Sequence, residues 1–190
     1  MQRLAFAFAV ALCSAVLNSC SGGGSILNFA PNGTSDHVIL SVVGPVNVPV
    51  VIAGGSLPLS AVQTNGSQNG VIVSNRYEWS ASLTTGQMYQ SNAFGQLKPC
   101  ASIMITQGGV TTPYTADFSI YLTIDPTNES NILVGPPPTI PNPFGATLTV
   151  NYPYCLRVNA QVLIPKGSGT TKGAVGSIIV AVMNPLNPLP

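Results

Sequence analysis

Short β-favouring runs, separated by clusters of Gly, Pro and Asn, recur along this chain and constrain its fold more than any other feature. The chain has 19 glycines and 17 prolines among 190 residues, and helical periodicity is nearly absent after the first stretch. Proline cannot donate a backbone hydrogen bond, and glycine favours turns, so short strands are expected in place of long helices. The runs predicted to form strands are residues 38–43, 46–52, 57–62, 71–79, 103–106, 118–124, 147–152, 158–164 and 177–182.

About seven to nine short strands with regular turn signals predict an all-β, immunoglobulin-like sandwich. The run 118–124 alternates well, so Phe118 and Ile120 are expected on one face of a strand. Between Asp125 and Gly145 lies a Pro-rich stretch that is predicted to be an extended loop or a linker between two halves, because proline cannot donate to a strand ladder. The expected core of the chain is therefore one sandwich with a Pro-rich insertion.

The first stretch has the pattern of a secretory signal peptide. Arg3 is followed by an apolar run at 4–17, which is shorter than the roughly 20 residues that a membrane-spanning helix needs. Residues 17–20 resemble a bacterial lipobox, in which the cysteine, here Cys20, is lipidated and becomes the mature N-terminus. A Gly/Ser-rich stretch follows it and is typical of a flexible tether. The alternative is an ordinary secreted chain cut nearby, with Cys20 incidental.

These patterns predict how the chain is organised. The predicted parts are a signal peptide at 1–19, a lipidated Gly/Ser tether at 20–37, an immunoglobulin-like sandwich at 38–183 with its Pro-rich loop at 125–145, and a disordered tail at 184–190.

Charged residues are scarce, at 6% of the chain against about 25% in a typical domain. The formal net charge is +1, so the sequence offers no electrostatic basis for binding nucleic acid. Nucleic acid is therefore excluded as an expected partner.

Cys100 and Cys155 remain as a pair once Cys13 is lost with the signal peptide and Cys20 is set aside for lipid. In an oxidising compartment a disulfide between them is the default expectation, with two separate buried thiols as the alternative. Neither cysteine has a second cysteine or a histidine at ligand spacing, so no metal site is expected.

Two segments carry a resemblance to a known family. Residues 54–61 (GGSLPLSA) resemble the second strand of bacterial immunoglobulin-like (Big) domains, and 77–82 (YEWSAS) resemble that family's Trp-Ser-Ser segment. Residues 92–97 (NAFGQL) are similar to the glycine turn that follows. The resemblance implies a sandwich in which Trp79 anchors the core. A ligand-stacking role for Trp79 is the alternative.

Groups able to carry out catalysis are few. The only histidine, His37, follows Asp36 directly, and adjacent residues of an extended chain point apart, so they make a poor acid–base pair. Residues 125–129 (DPTNE) contain oxygen ligands suited to Ca²⁺, but an Asx/Pro turn is the favoured interpretation. No catalytic residue, cofactor or metal is expected, and the chain is not expected to be an enzyme.

The expected function is that of a non-enzymatic exported lipoprotein of the outer membrane, cell surface or periplasm, in an adhesion, scaffolding or spacer role. Its expected partners are a membrane, through the lipid, and an unknown protein or glycan. One alternative is a carbohydrate- or protein-binding module, with Tyr89, Tyr114, Tyr152 and Tyr154 as stacking candidates. Another is a subunit that polymerises by strand addition at an open sheet edge.

Overall fold

The computed structural model describes residues 36–44, 48–65, 70–72, 76–166 and 169–186. The predicted signal peptide, the lipidation site and nearly all of the tether lie outside the described residues, as do the last four residues of the tail. The described residues are almost entirely β, and the expectation of an all-β sandwich is confirmed. Their strands are β1 (Asp36–Val42), β2 (Val50–Ile52), β3 (Leu57–Asn65), β4 (Gly70–Ile72), β5 (Tyr77–Thr84), β6 (Met88–Gln90), β7 (Leu97–Pro99), β8 (Met104–Gln107), β9 (Val110–Pro113), β10 (Leu122–Ile124), β11 (Asn131–Val134), β12 (Thr147–Thr149), β13 (Tyr154–Lys166) and β14 (Gly169–Met183).

Two sheets form the sandwich. The front sheet has the order β1-β3-β11-β10, with β4 paired to the other half of β3, and all of its pairings are antiparallel. The back sheet has the order β2-β14-β13-β5. Its central strands β13 and β14 form a long antiparallel hairpin, and only β2 joins its neighbour in parallel.

The core lies between the inner faces of these two sheets. Strand β5 shows the expected pattern, since Tyr77, Trp79, Ala81 and Leu83 are buried and alternate with more exposed residues. Successive side chains of a strand point to opposite faces, so one face of each strand can be apolar while the other stays polar. The residues buried between the inner faces of the two sheets belong to a single cluster.

The front and back sheets meet closely where β1 crosses β14. Gly176 of β14 faces the core, and a Cβ atom placed there would clash with the backbone carbonyl of Val38 and the side chain of Leu40. The absent side chain therefore allows the backbones of β1 and β14 to approach each other at this corner.

Two small sheets extend the sandwich. One is the two-stranded hairpin β6–β7, which contacts β14 of the back sheet. The other has three strands in the order β12-β8-β9. Gly108 and Gly109 close the β8–β9 hairpin with positive φ angles, as a two-residue turn of this kind requires.

The sequence prediction for residues 118–124 is wrong in its first half. Ser119–Tyr121 form a 3-10 turn, and only Leu122–Ile124 are a strand. Ile120 is exposed instead of sharing a buried face with Phe118. The reason is local: the Ser119 hydroxyl and backbone N–H both donate to the Asp117 carboxylate, and this favours a turn over an extended chain.

The Pro-rich stretch also differs from the expected loop. Asn131–Val134 form β11, which pairs with both β3 and β10. Ile132 and Val134 are buried in the core. No proline lies within these four residues, so the ladder is uninterrupted there; Pro126 comes before the strand, and the next proline is Pro136.

Candidate interaction surface

A disulfide joins Cys100, just after β7, to Cys155 in β13, with their Cα atoms 5.7 Å apart. Leu156 and Val158 of β13 belong to the main core, whereas Cys155 lies in a second, smaller buried cluster with Tyr89 and Cys100. Alternation along β13 therefore places Cys155 on the outer face of the back sheet. The predicted disulfide is present, and it ties the hairpin β6–β7 to that outer face.

Further contacts hold this hairpin in place. Ala181 of β14 is buried in the same small cluster, and Ile179 packs against it. Near the start of the hairpin, the Arg157 guanidinium donates a hydrogen bond of 2.9 Å to the Gln87 side chain. We call residues 88–99 the stapled hairpin, because both a covalent bond and a buried cluster fix it to the sandwich.

The other face of the stapled hairpin is apolar and exposed. Met88 is 47% exposed, Leu97 59% and Phe94, at the turn, 97%. Most large apolar side chains of a folded domain bury much of their surface, so a group of exposed ones on one element marks a contact surface.

A shallow groove on the outer face of the front sheet is the second apolar feature. It has a volume of about 390 Å³ and is lined in part by Val43, Pro58 and Leu133. The pairing of Leu133 with Pro58 places their side chains next to each other on the outer face. Nothing in the described chain shows what covers this groove.

Asp125 and Asn128 lie in the segment whose favoured interpretation is an Asx/Pro turn and whose alternative is a Ca²⁺ site, and both are engaged in turns. The Asp125 side chain accepts bonds of 2.8 and 2.7 Å from the backbone and hydroxyl of Thr127, and the pKa of Asp125 is lowered by them. Asn128 accepts in the same way from Ser130. These contacts fit the Asx-turn interpretation. Among the residues that the structure describes, no three potential metal ligands come together.

Among the residues that the structure describes, the acidic side chains other than Asp125 that make contacts lie in exposed ion pairs or in a turn. Glu78 makes a 2.6 Å ion pair with Lys172, and Glu129 lies 3.9 Å from Arg76. All four side chains are well exposed. Two bonds from Ser119 lower the pKa of Asp117, which suits a carboxylate in a turn more than a proton donor.

Trp79 is buried in the main core, and its indole N–H donates a 2.8 Å bond to the Glu129 backbone carbonyl. Its ring centroid lies 6.0 Å from that of Tyr77. The side chain thus links β5 to the turn before β11, and its buried face is not open to a ligand.

The four tyrosines considered as stacking residues are also buried or half-buried against other side chains. Tyr89 and Tyr154 are buried, and Tyr114 and Tyr152 are half-buried against the core. No row of exposed tyrosines is present among the described residues. The aromatic side chains that do project are Phe94 and Phe144, each in a turn that ends in a glycine with positive φ.

The fold and this surface define a disulfide-stapled all-β sandwich with an exposed apolar hairpin. Comparison with protein-family models and with curated proteins finds no match for the chain. In the part of the chain that the structure describes, no helix has the length and apolar character needed to cross a membrane.

Sequence reasoning found the cysteine pair but not the surface that it holds in place. Residues 92–97 were assigned to a turn, and β6 and β7 on either side were not predicted. A usable signal was present: Phe94 stands directly before Gly95 in a stretch bounded by Asn92 and Gln96. A large apolar residue in a polar turn is an indication of exposure.

Proposed function

We propose that this protein is a non-enzymatic exported lipoprotein of the cell surface or periplasm, with a scaffolding, spacer or adhesion role. The stapled hairpin is the observation that carries the proposal. Its disulfide is of the kind that persists in oxidising compartments outside the cytoplasm. Its exposed Phe94, Leu97 and Met88 are more apolar surface than the fold itself requires, which favours a role in contact.

The proposal includes kinship with bacterial immunoglobulin-like domains. The burial of Trp79 between the two sheets of the sandwich supports it, because the family's tryptophan is expected there. The N-terminal lipobox-like quartet supports the anchored form, in which Cys20 carries lipid and residues 21–35 space the sandwich from a bilayer.

The two alternatives have less support. A glycan-stacking platform needs exposed rings, and two of its four candidate tyrosines, Tyr89 and Tyr154, are buried. Polymerisation by strand addition needs a terminal strand that lacks a partner in its own molecule. Both β1 and β14 already pair within the sandwich.

Mass spectrometry of the mature N-terminus from a bacterial host with the lipoprotein pathway tests the anchored form. We expect the mature chain to begin at Cys20 and to carry acyl groups. The Cys20→Ser variant is the matched control and should show no acyl mass. An unmodified Cys20, or a mature chain that begins elsewhere, would contradict the anchored form.

A further inference from the structure

The stapled hairpin presents its apolar side chains on one face. In the register of β6 with β7, Gln90 pairs with Leu97 and Met88 pairs with Pro99. Paired residues of an antiparallel ladder share a face, and so do residues two apart on one strand. Met88, Leu97 and Pro99 therefore lie together on the face opposite Tyr89, with Phe94 beyond them at the turn.

The exposure of Phe94 is imposed by a structured turn. The Asn92 side-chain oxygen accepts 3.1 Å bonds from the backbone N–H groups of both Phe94 and Gln96. The Asn92 amide donates to the Gln96 side chain, and the Ser91 hydroxyl donates to the Gln96 carbonyl. Since the turn is fixed by these bonds, Phe94 cannot fold back onto the sandwich without breaking them.

The opposite face of the hairpin is fixed to the protein. Tyr89 is buried, and the disulfide between Cys100 and Cys155 ends the hairpin. The apolar face therefore points outward as part of a rigid projection, which favours insertion into a soft apolar phase over a flat contact.

The charge of the hairpin also indicates its partner. Lys98 is the only residue from Thr85 to Pro99 that is charged at neutral pH, and it is partly exposed. It pairs with Tyr89, so it lies on the other face of the hairpin from Met88 and Leu97. A membrane interface accepts apolar side chains below its headgroups, and an anionic headgroup layer attracts a nearby lysine. Since this segment has no acidic side chain, no negative charge on the hairpin repels an anionic surface.

The proposed anchor would bring that surface within reach. Asp36, where the described chain begins, lies sixteen residues after Cys20, and a segment of that length extends to at most roughly 50 Å. A tether of this length keeps the sandwich at a high effective concentration near the bilayer that holds the lipid.

We infer that the stapled hairpin is a membrane-contact element: Phe94, Leu97 and Met88 enter the interface of a bilayer that contains anionic lipid, while Lys98, on the other face of the hairpin, stays at the level of the headgroups. The inference extends the proposed function, since it names the bilayer as the partner of the hairpin. It does not require lipid at Cys20, because the side chains that make the contact belong to the sandwich.

The test is co-sedimentation with vesicles of phosphatidylcholine and phosphatidylglycerol, using the full exported chain with Cys20→Ser so that no acyl group contributes. We expect this protein to bind the vesicles. When Phe94→Ser and Leu97→Ser are both added to it, binding should weaken by about tenfold or more, as the loss of two apolar side chains from the interface implies. Lys98→Gln should weaken binding to these vesicles by about fivefold and leave binding to pure phosphatidylcholine unchanged.

Phe144→Ser supplies a matched control. Phe144 is as exposed as Phe94 and also precedes a turn glycine, but it lies outside the hairpin. We expect Phe144→Ser to bind vesicles like its parent, and Phe94→Ser alone to bind more weakly. Retention of the near-ultraviolet circular dichroism signal and of the disulfide would show that each variant is folded.

Three results would overturn the inference. First, the Cys20→Ser protein does not bind vesicles. Second, Phe144→Ser and Phe94→Ser lose vesicle binding to the same extent. Third, the protein self-associates in solution and Phe94→Ser abolishes this association. The last result would assign the hairpin to a second copy of the chain. None of them bears on the N-terminal mass, so a failure of the anchored form and a failure of this inference are distinguishable.

Discussion

Single residues set two features of this sandwich. Gly176 permits the close crossing of β1 over β14, because a Cβ atom at that position would meet backbone atoms of Val38 that cannot move away without shifting the strand. Tyr154 is buried in the core, and its hydroxyl finds no hydrogen-bond partner among the described residues. Gly176 is required because no side chain fits at its position, whereas the Tyr154 hydroxyl is a polar group whose burial costs free energy.

Gly176→Ala should lower the free energy of unfolding by about 2 kcal/mol or more, because the added methyl group forces the two sheets apart. Gly135→Ala is the matched control: a Cβ there meets its nearest atoms at 3.8 Å, so a change within about 0.5 kcal/mol is expected. Urea unfolding of both variants measures the difference. Equal stability of the two variants would show that β1 and β14 are far enough apart at this crossing to accept a methyl group.

Tyr154→Phe should keep or raise the free energy of unfolding, by about 1 kcal/mol, since it removes a buried hydroxyl without a partner. Tyr77→Phe is the opposite case, because the Tyr77 hydroxyl is hydrogen-bonded by the backbone of Gln63, and a loss of about 1 kcal/mol is expected. Thermal or urea unfolding compares them. A clear loss of stability in Tyr154→Phe would mean that its hydroxyl has a partner after all.

The same tyrosine gives a dependence on pH. Burial raises the pKa of Tyr154 well above its ordinary value of 10.0, so the folded protein keeps this proton at pH values where the unfolded chain releases it. The stability that depends on Tyr154 is therefore present below pH 10 and is lost as the pH rises. The advantage of Tyr154→Phe over the parent should widen above pH 10.

At the scale of elements, the disulfide joins the end of the hairpin β6–β7 covalently to β13 of the back sheet. It spans a sequence separation of 55 residues, which includes the three-stranded sheet and the strands β10 and β11 at the edge of the front sheet. Cross-linking so long a loop restricts the unfolded chain strongly.

The double variant Cys100→Ser with Cys155→Ser should be less stable by roughly 4 kcal/mol, as expected for closure of a loop of this length. Urea unfolding under non-reducing conditions measures the loss, and the parent treated with reductant should shift to the same midpoint. A parent that is indifferent to reductant would mean that the staple does not stabilise the fold.

At the scale of the whole molecule, one core serves both sheets. Residues from β1, β3 and β11 share a single buried cluster with residues from β5, β13 and β14. The strand pairs that close it are far apart in sequence, such as Trp79 of β5 with Ala160 of β13. Neither sheet can bury its apolar face without the other, so the sandwich should unfold as a unit.

We therefore expect one cooperative transition with the disulfide intact. Trp79 is the chain's only tryptophan and lies in the shared core, so its fluorescence reports on both sheets. The fluorescence and far-ultraviolet circular dichroism curves in urea should coincide. Separate midpoints for the two signals would show that part of the β structure survives loss of the core.

The sequence by itself determined the class of fold, most of the long strands and the cysteine pair. Alternation of apolar and polar residues indicates a strand wherever one face is buried, as in β3 and β13, and it needs no knowledge of the partner strand. The boundaries are less certain: the run predicted at 71–79 reaches only the first residues of β5, which spans Tyr77–Thr84. Two cysteines with no other metal ligand nearby suffice to predict a disulfide in an exported chain.

Tertiary structure decided the rest. Residues 118–124 alternate like a strand, but local hydrogen bonds from Ser119 to Asp117 turn the chain. The long-range part is the backbone N–H of Ala81, which donates to the Ser119 hydroxyl and holds the turn against β5. Strand β11 is too short to be recognised alone and exists because β3 and β10 flank it. Local pattern cannot supply such partners, since they come from residues far away in the chain.

The candidate site shows the same division. Met88 lies outside every predicted strand and Leu97 at the end of a predicted turn, and only the docking of Tyr89 and the disulfide onto the back sheet leaves their face outward. A strand pattern fixes which residues share a face, but the packing of the whole molecule determines which face is covered. That is why the sequence predicted the staple and the structure was needed to find the surface that it presents.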